Sequence, residues 1–317
     1  MKKNILLIIL VSISLYLYGY DGFESTDSLI SYNNEITQFA PGHMGERMSI
    51  SKDGSMMVFS EYSDDIKNNI IYTVDLTTKK LKKIKTPYGY KNHPIIVRNK
   101  IFMTLATKTS YQGYVDGIYY YDIDSSQKEW ILWEKGNYRD LATDIDNKFI
   151  AFSSGNWNTA VIKSTIFVQP IDSNCEKKSK SYKVASNFSG QTYEIIFSKD
   201  ATSIYFSGDT NSSGQGSIFK TDNKPNSIYE MVVPNASDSS FYKGSDIDEP
   251  VIMFLRDFTV YIYFVERDEE KKLFSGKYSN YVGVPQFGTG NTIYFRIQQY
   301  PGKAALFEST INIEDYL

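Results

Sequence analysis

The 317-residue chain has one cysteine, Cys175, only two histidines, His43 and His93, and nine prolines. A single cysteine excludes an intrachain disulfide, so the fold must rest on packing. With so few histidines the usual catalytic base is nearly absent, and no Gly-x-Ser-x-Gly nucleophile elbow occurs. His-Glu-x-x-His, cysteine pairs and an EF-hand loop are also missing. Residues 209–214 begin like a calcium loop, but the closing glutamate at the twelfth position is missing. Neither a metal nor a cofactor is expected. Basic charge is short too: 34 Lys and Arg face 37 Asp and Glu, which argues against a nucleic-acid partner.

Long apolar runs are confined to the first twenty residues. Lys2 and Lys3 precede an apolar stretch over residues 5–18, the pattern of a secretory signal, and the stretch is shorter than a bilayer-spanning helix needs. Export to the periplasm or outside the cell is therefore expected, with residues 1–20 as signal and 21–317 as one domain. No small-x-small cleavage site stands out, which leaves an uncleaved anchor as the alternative.

Aromatic residues are plentiful, with 26 Tyr and 19 Phe, enough for a large core. No segment after the signal has helical periodicity; short β-rich runs alternate with turn clusters. The chain also repeats itself. Asp53-Gly54-Ser55-Met56-Met57-Val58-Phe59-Ser60 aligns without gaps on residues 146–153 and 200–207. A weaker copy runs over 248–254, and degenerate copies cover 99–104 and 291–295. Taking positions 59, 104, 152, 206, 254 and 295 as equivalent gives spacings of 45, 48, 54, 48 and 41, or six units. Each unit carries two further strands, so the expected fold is an all-β, six-bladed β-propeller with four-stranded antiparallel blades. The last unit runs out early, and the N-terminal segment 29–39 is expected to complete it and close the ring.

Ser51-Lys52-Asp53-Gly54 through Ser60, and Ser198-Lys199-Asp200 through Ser207, resemble the Ser-Pro-Asp-Gly repeat of the WD40-like, TolB-like propellers, with Lys in the place of Pro. The motif is a fold signature and covers the whole mature chain. Its aspartates, Asp53, Asp146 and Asp200, are turn formers rather than catalysts, and the recurring Phe residues are packing. Cys175, in a polar hairpin, reads as an incidental exposed thiol, and loop Trp157 as a residue able to stack on a ligand.

In a propeller the innermost strands begin around a central channel. Counting twelve positions back from the repeated Phe gives Arg47, Asn92, Asp140, Glu194 and Tyr242, with Tyr281 as the sixth. Glu46, His93, Arg139, Tyr193 and Lys243 adjoin them. These residues would form a polar channel mouth suited to a peptide or another polar ligand, although pre-Pro His93 can also be explained by the extended backbone it needs. The resemblance and the missing catalytic motifs imply a non-catalytic module, monomeric by itself, that binds a protein or peptide partner in the cell envelope. The alternatives are a carbohydrate-active hydrolase or lyase using Asp140 and Glu194, and a glycan-binding propeller.

Overall fold

A computed structural model describes residues 30–31, 35–43, 46–61, 68–106, 117–125, 129–156, 163–186, 188–210, 216–242, 247, 249–277, 280–299 and 303–316. The expected signal, Trp157, Lys243 and the core of the calcium-like loop lie outside the described residues.

Six antiparallel sheets form from runs of β-branched and aromatic residues separated by turns; five are built on four consecutive runs, and the sixth on three consecutive runs and a strand from near the N-terminus. Blade 1 is Glu46–Ile50, Met56–Glu61, Ile70–Asp75 and Lys80–Ile84. The inner strands of blades 2 to 6 are Tyr90–Val97, Tyr138–Thr143, Gln191–Phe197, Ser237–Phe241 and Asn280–Phe287. Each inner strand packs against the inner strands of the blades before and after it, and blade 6 returns to blade 1. Thus the chain is a six-bladed β-propeller. Closure comes from Ile36–Pro41, which pairs with Lys303–Thr310 as the outermost strand of blade 6. The preceding Ile30–Ser31 goes elsewhere and adds a fifth strand to blade 5 along Glu269–Gly276.

One aromatic pair recurs in every blade. The second strand's Phe lies directly opposite an aromatic residue of the third: Phe59–Tyr72, Phe102–Tyr120, Phe152–Phe167, Phe206–Phe219, Phe254–Tyr261 and Phe295–Phe307. Ring centroids are 5.4 to 6.0 Å apart. Such cross-strand pairs fix register and fill the space between blades. They also correct the repeat in blade 2, where Phe102 rather than Thr104 holds the equivalent place. The two-residue hairpin at Arg98 and Asn99 shortens that unit.

The repeat motif is a turn device. Ser51 Oγ accepts from Met56 N at 3.0 Å, and Ser198 Oγ accepts from Ser203 N at 3.0 Å. Asp53 and Asp200 accept the N–H groups of Ser55 and Thr202. In blade 3 the roles are exchanged. Asp144 takes the serine position and accepts from Phe149 N at 2.7 Å, while Asp146 turns outward to Lys52 and Lys148. The next residue has positive φ in all three turns: Gly54 at 71°, Asn147 at 53° and Ala201 at 58°. At Gly54 an added Cβ would also lie 2.2 Å from Thr289 Oγ1. Gly54→Ala is expected to cost more than about 1 kcal/mol, read as a lowered urea midpoint, because it adds a clash to an unfavourable φ.

Cys175 is not exposed. Its hairpin turns at φ 64° and directs the thiol into the core between blades 2 and 3, where Cys175 is 3% exposed and Sγ lies 3.8 Å from Val97 O. Burial raises its pKa, so the thiolate is disfavoured.

Candidate functional site at the channel mouth

All six inner strands break register near their first residues. The shifts fall between Glu46 and Met48, Asn92 and Ile95, Tyr138 and Leu141, Thr192 and Glu194, Ser237 and Ser240, and Gly283 and Gln286. A β-bulge re-aims side chains, and six in one tier form a ring at the channel mouth. Four bulges hold a non-glycine residue at positive φ: Arg47 at 53°, His93 at 48°, Asp238 at 47° and Val284 at 52°. Backbone conformations this unfavourable persist where the surrounding structure holds them and cluster at functional sites.

Two charge systems meet there. Arg47 Nη1 lies 2.9 Å from Glu194 Oε1 and 3.4 Å from Asp238 Oδ1. Ser239 N donates to Glu194 Oε2 at 2.7 Å. Beside them, His93 Nε2 is 3.0 Å from Asp140 Oδ1, and the other Asp140 oxygen accepts from Ser153 Oγ at 2.7 Å and Thr192 Oγ1 at 2.9 Å. Asp140, His93 and Glu194 are buried, at 2, 7 and 8% exposure.

Burial splits the two carboxyls. It opposes ionisation of Asp140, yet His93, Ser153 and Arg47 together hold this carboxyl at about 2. For Glu194 burial wins over the pull of Arg47, and Asp238 adds to the rise, which reaches about 8. Burial also lowers the His93 pKa against the pull of Asp140, so the imidazole is neutral at neutral pH. Because ionised Asp140 can only accept, Nε2 carries the ring proton and Nδ1 is the basic nitrogen. Burial works against the Arg47 cation, but Glu194, Asp238 and Asp140 hold its pKa above the ordinary value. Arg139, lowered by burial to about 10, remains a cation.

Below the ring the channel narrows to a cavity of about 110 Å³, bordered by Arg47, His93, Glu194 and Ser239 at one end and by Ile145 and Lys199 lower down. That is smaller than the several hundred Å³ of a drug-sized pocket, but has room for several waters.

Of the residues read from the sequence, Arg47, His93, Asp140 and Glu194 come together here. Arg139 and Tyr193 sit within the bulges of blades 3 and 4. The Asn92 backbone flanks the bulge of blade 2, and its side chain lies outside the described part, as does that of Glu46. Tyr242 is elsewhere: its hydroxyl donates to Asn291 Oδ1 at 2.9 Å and its ring packs on Phe287, at the far end of the channel. The longer connection between Phe241 and Val251 makes a twelve-residue count stop short, and Asp238 holds the ring position of blade 5. Tyr281 stands three residues before Val284, beyond the ring, against Phe258. Counting missed Asp238, Ser239, Ser153 and Thr192. The sequence signal for the first two was Ser237-Asp238-Ser239-Ser240, a polar break in alternation at the start of an inner strand.

No family model matches the chain, and no curated protein matches it in sequence. Solved structures do match its fold. A gluconolactonase from Xanthomonas campestris has a TM-score of 0.61 at 10% identity, covering 92% of this chain and 94% of that one. An oligogalacturonate lyase in complex with manganese has a TM-score of 0.54 at 12% identity, covering 94% and 97%. TolB from Acinetobacter baumannii is 15% identical over 88% of this chain and 55% of that chain, with a TM-score of 0.46. At these identities the likeness shows the six-bladed fold, and membership of the TolB-like family is not shown.

The expectation that the chain is not an enzyme is nevertheless overturned. It rested on the resemblance and on missing motifs, and enzymes are among the solved structures that share this fold. A propeller assembles its site from six distant strand starts, so no contiguous motif is needed.

The lyase's manganese poses a test of the ring. Among the described residues, no three His, Cys, Asp or Glu side chains are grouped to hold a metal ion. The ring carboxylates Glu194 and Asp140 already face Arg47 and His93. These residues do not fit a divalent cation.

Proposed function

We propose that this chain is a carbohydrate-active hydrolase whose site is the bulge ring. The observation that carries this reading is the buried His93–Asp140 pair in the same ring as Arg47 and Glu194, where the Asp140 pKa is held down and burial pushes the Glu194 pKa up. Titratable groups whose surroundings push them apart mark an acid and a base. Asp140 has its oxygens occupied by His93, Ser153 and Thr192, so it positions His93 rather than attacking substrate.

In this reading His93 Nδ1 takes a proton from a water at the channel mouth, and that water's oxygen bonds to the electrophilic carbon of a sugar ester, lactone or glycoside. The C–O bond breaks, and the leaving oxygen takes the Glu194 proton. Afterwards the proton on His93 returns to Glu194, restoring both groups. Arg47, already fixed against Glu194 and Asp238, supplies positive charge where oxygen gains negative charge. The cavity beneath the ring has room for the water this route consumes. The repeat motif supports descent from TolB-like propellers, and the basic-then-apolar start of the chain supports export.

The test is a panel of aldonolactones, nitrophenyl glycosides, sugar esters and oligogalacturonates, followed by acid release, nitrophenol colour and ultraviolet absorbance. Hydrolysis of one class is expected. Formation of an unsaturated product would assign the same residues to a lyase, and no turnover across the panel would sink the reading.

A further inference from the structure

We infer that Phe258 and Tyr281 form an aromatic platform beside the channel mouth that stacks on a sugar ring of an oligosaccharide. The second and third strands of blade 5 are joined by two residues only, Asp257 and Phe258, since Arg256 pairs with Thr259. Both have positive φ, 48° and 58°. A two-residue turn of this kind favours Asn-Gly, and a bulky aromatic at its second position is a backbone outlier. The strain is not repaid by core packing, because Phe258 is 53% exposed.

What Phe258 meets is Tyr281, itself 39% exposed, with ring centroids 4.6 Å apart and planes at 71°. The turn's stem is rigid. The Arg256 guanidinium stacks over Phe254 and Tyr261 at 5.1 and 5.3 Å, donates twice to Glu270, and bonds the carbonyls of Pro234 and Asn235. Two exposed aromatics held at a fixed angle on an anchored hairpin suit the apolar face of a pyranose, whose hydroxyls stay in water. Strain kept at an exposed position points to function.

Position ties the platform to the ring. Phe258 and Tyr281 lie on the face where the inner strands begin, and Tyr281 precedes the bulge residue Val284 on the same strand. By strand rise that is about 10 Å, the reach of a short oligosaccharide rather than one sugar. The choice of a sugar as the ligand rests on the carbohydrate reading above, and the platform itself rests on the exposed, strained pair.

The test is calorimetric titration of cello- and galacturono-oligosaccharides, from disaccharide to hexasaccharide, into the wild-type chain, Phe258→Gly and Tyr281→Ala. Affinity is expected to rise with length in the wild type and to fall about tenfold for the longer ligands in both variants. Glycine suits φ 58°, so Phe258→Gly should also melt at a higher temperature than the wild type, which separates lost binding from lost folding. Length-independent binding, unchanged affinity in the variants, or no binding of any member by the wild type would each overturn the platform. Binding without turnover would retain the platform and discard the hydrolase. Hydrolysis of the shortest substrates with no gain from length would do the reverse.

Discussion

Stability is expected to fall as the pH rises from about 4.5 to about 8, and Glu194→Gln is expected to lack most of that fall. The Glu194 carboxyl is raised from 4.5 to about 8 in the fold, so across this window the native state keeps a proton that the unfolded chain has lost. A raised native value gives stability that is complete below the unfolded value and gone above the folded one. Each unit corresponds to about 1.4 kcal/mol, and Arg47 keeps Asp238 as a partner when Glu194 becomes neutral. The variant should therefore be more stable than the wild type at about pH 8.5 by between about 2 and 5 kcal/mol, and nearly equal at about pH 5. Asp140 acts with the opposite sign. Its value is depressed to about 2, so its contribution is present above 3.8 and lost as the pH falls through about 2. Together the two groups place the maximum near pH 4. Urea unfolding of both proteins at the two pH values checks this, and a variant destabilised equally at both would show that Glu194 is ionised in the fold throughout.

The fold was legible because a propeller writes itself six times. One blade's Asp-Gly turn or Phe could arise by chance, but repeated turns followed by Phe59, Phe152 and Phe206 at matching offsets could not. The structure adds the partner each Phe was selected for, an aromatic residue directly across on the third strand. It also shows where a motif deceives: Asp146 aligns with Asp53 and Asp200, yet the turn is built by Asp144.

The site was half legible. Strand starts surround the channel, so counting back from Phe59, Phe152 and Phe206 reached Arg47, Asp140 and Glu194. The count assumed equal hairpins and failed in blade 5, where it gave Tyr242; in blade 6 Tyr281 was chosen two residues away from the counted Gly283, which flanks the bulge. Asp238 was hidden by the longer turn of blade 5, and Cys175 was misplaced because a polar hairpin hides which way one residue at positive φ turns. Sequence could not reveal the ring of six bulges. A bulge is an extra residue relative to a partner strand, and it becomes visible only when the pairing is known.

His93→Gln is expected to lower kcat by about 10²- to 10⁴-fold on whatever substrate the panel identifies, with KM little changed. The reason lies in the protons. Neutral His93 is held by ionised Asp140 with Nε2 protonated, which makes Nδ1 the basic nitrogen of the ring. Glutamine can bond Asp140 but offers no nitrogen base. Asp140→Asn should cost nearly as much by another route, since the asparagine amide can donate to Nε2 and favour the tautomer with its proton on Nδ1. The pH profile separates these roles from structural ones. Activity should rise as His93 deprotonates below its ordinary value of 6.5 and decline near 8 as Glu194 loses its proton. In Glu194→Gln the alkaline limb should vanish along with most of the rate. If His93→Gln retained wild-type kcat with both limbs intact, the histidine would be a strand-start residue that merely packs, and the base would have to be sought elsewhere on the ring.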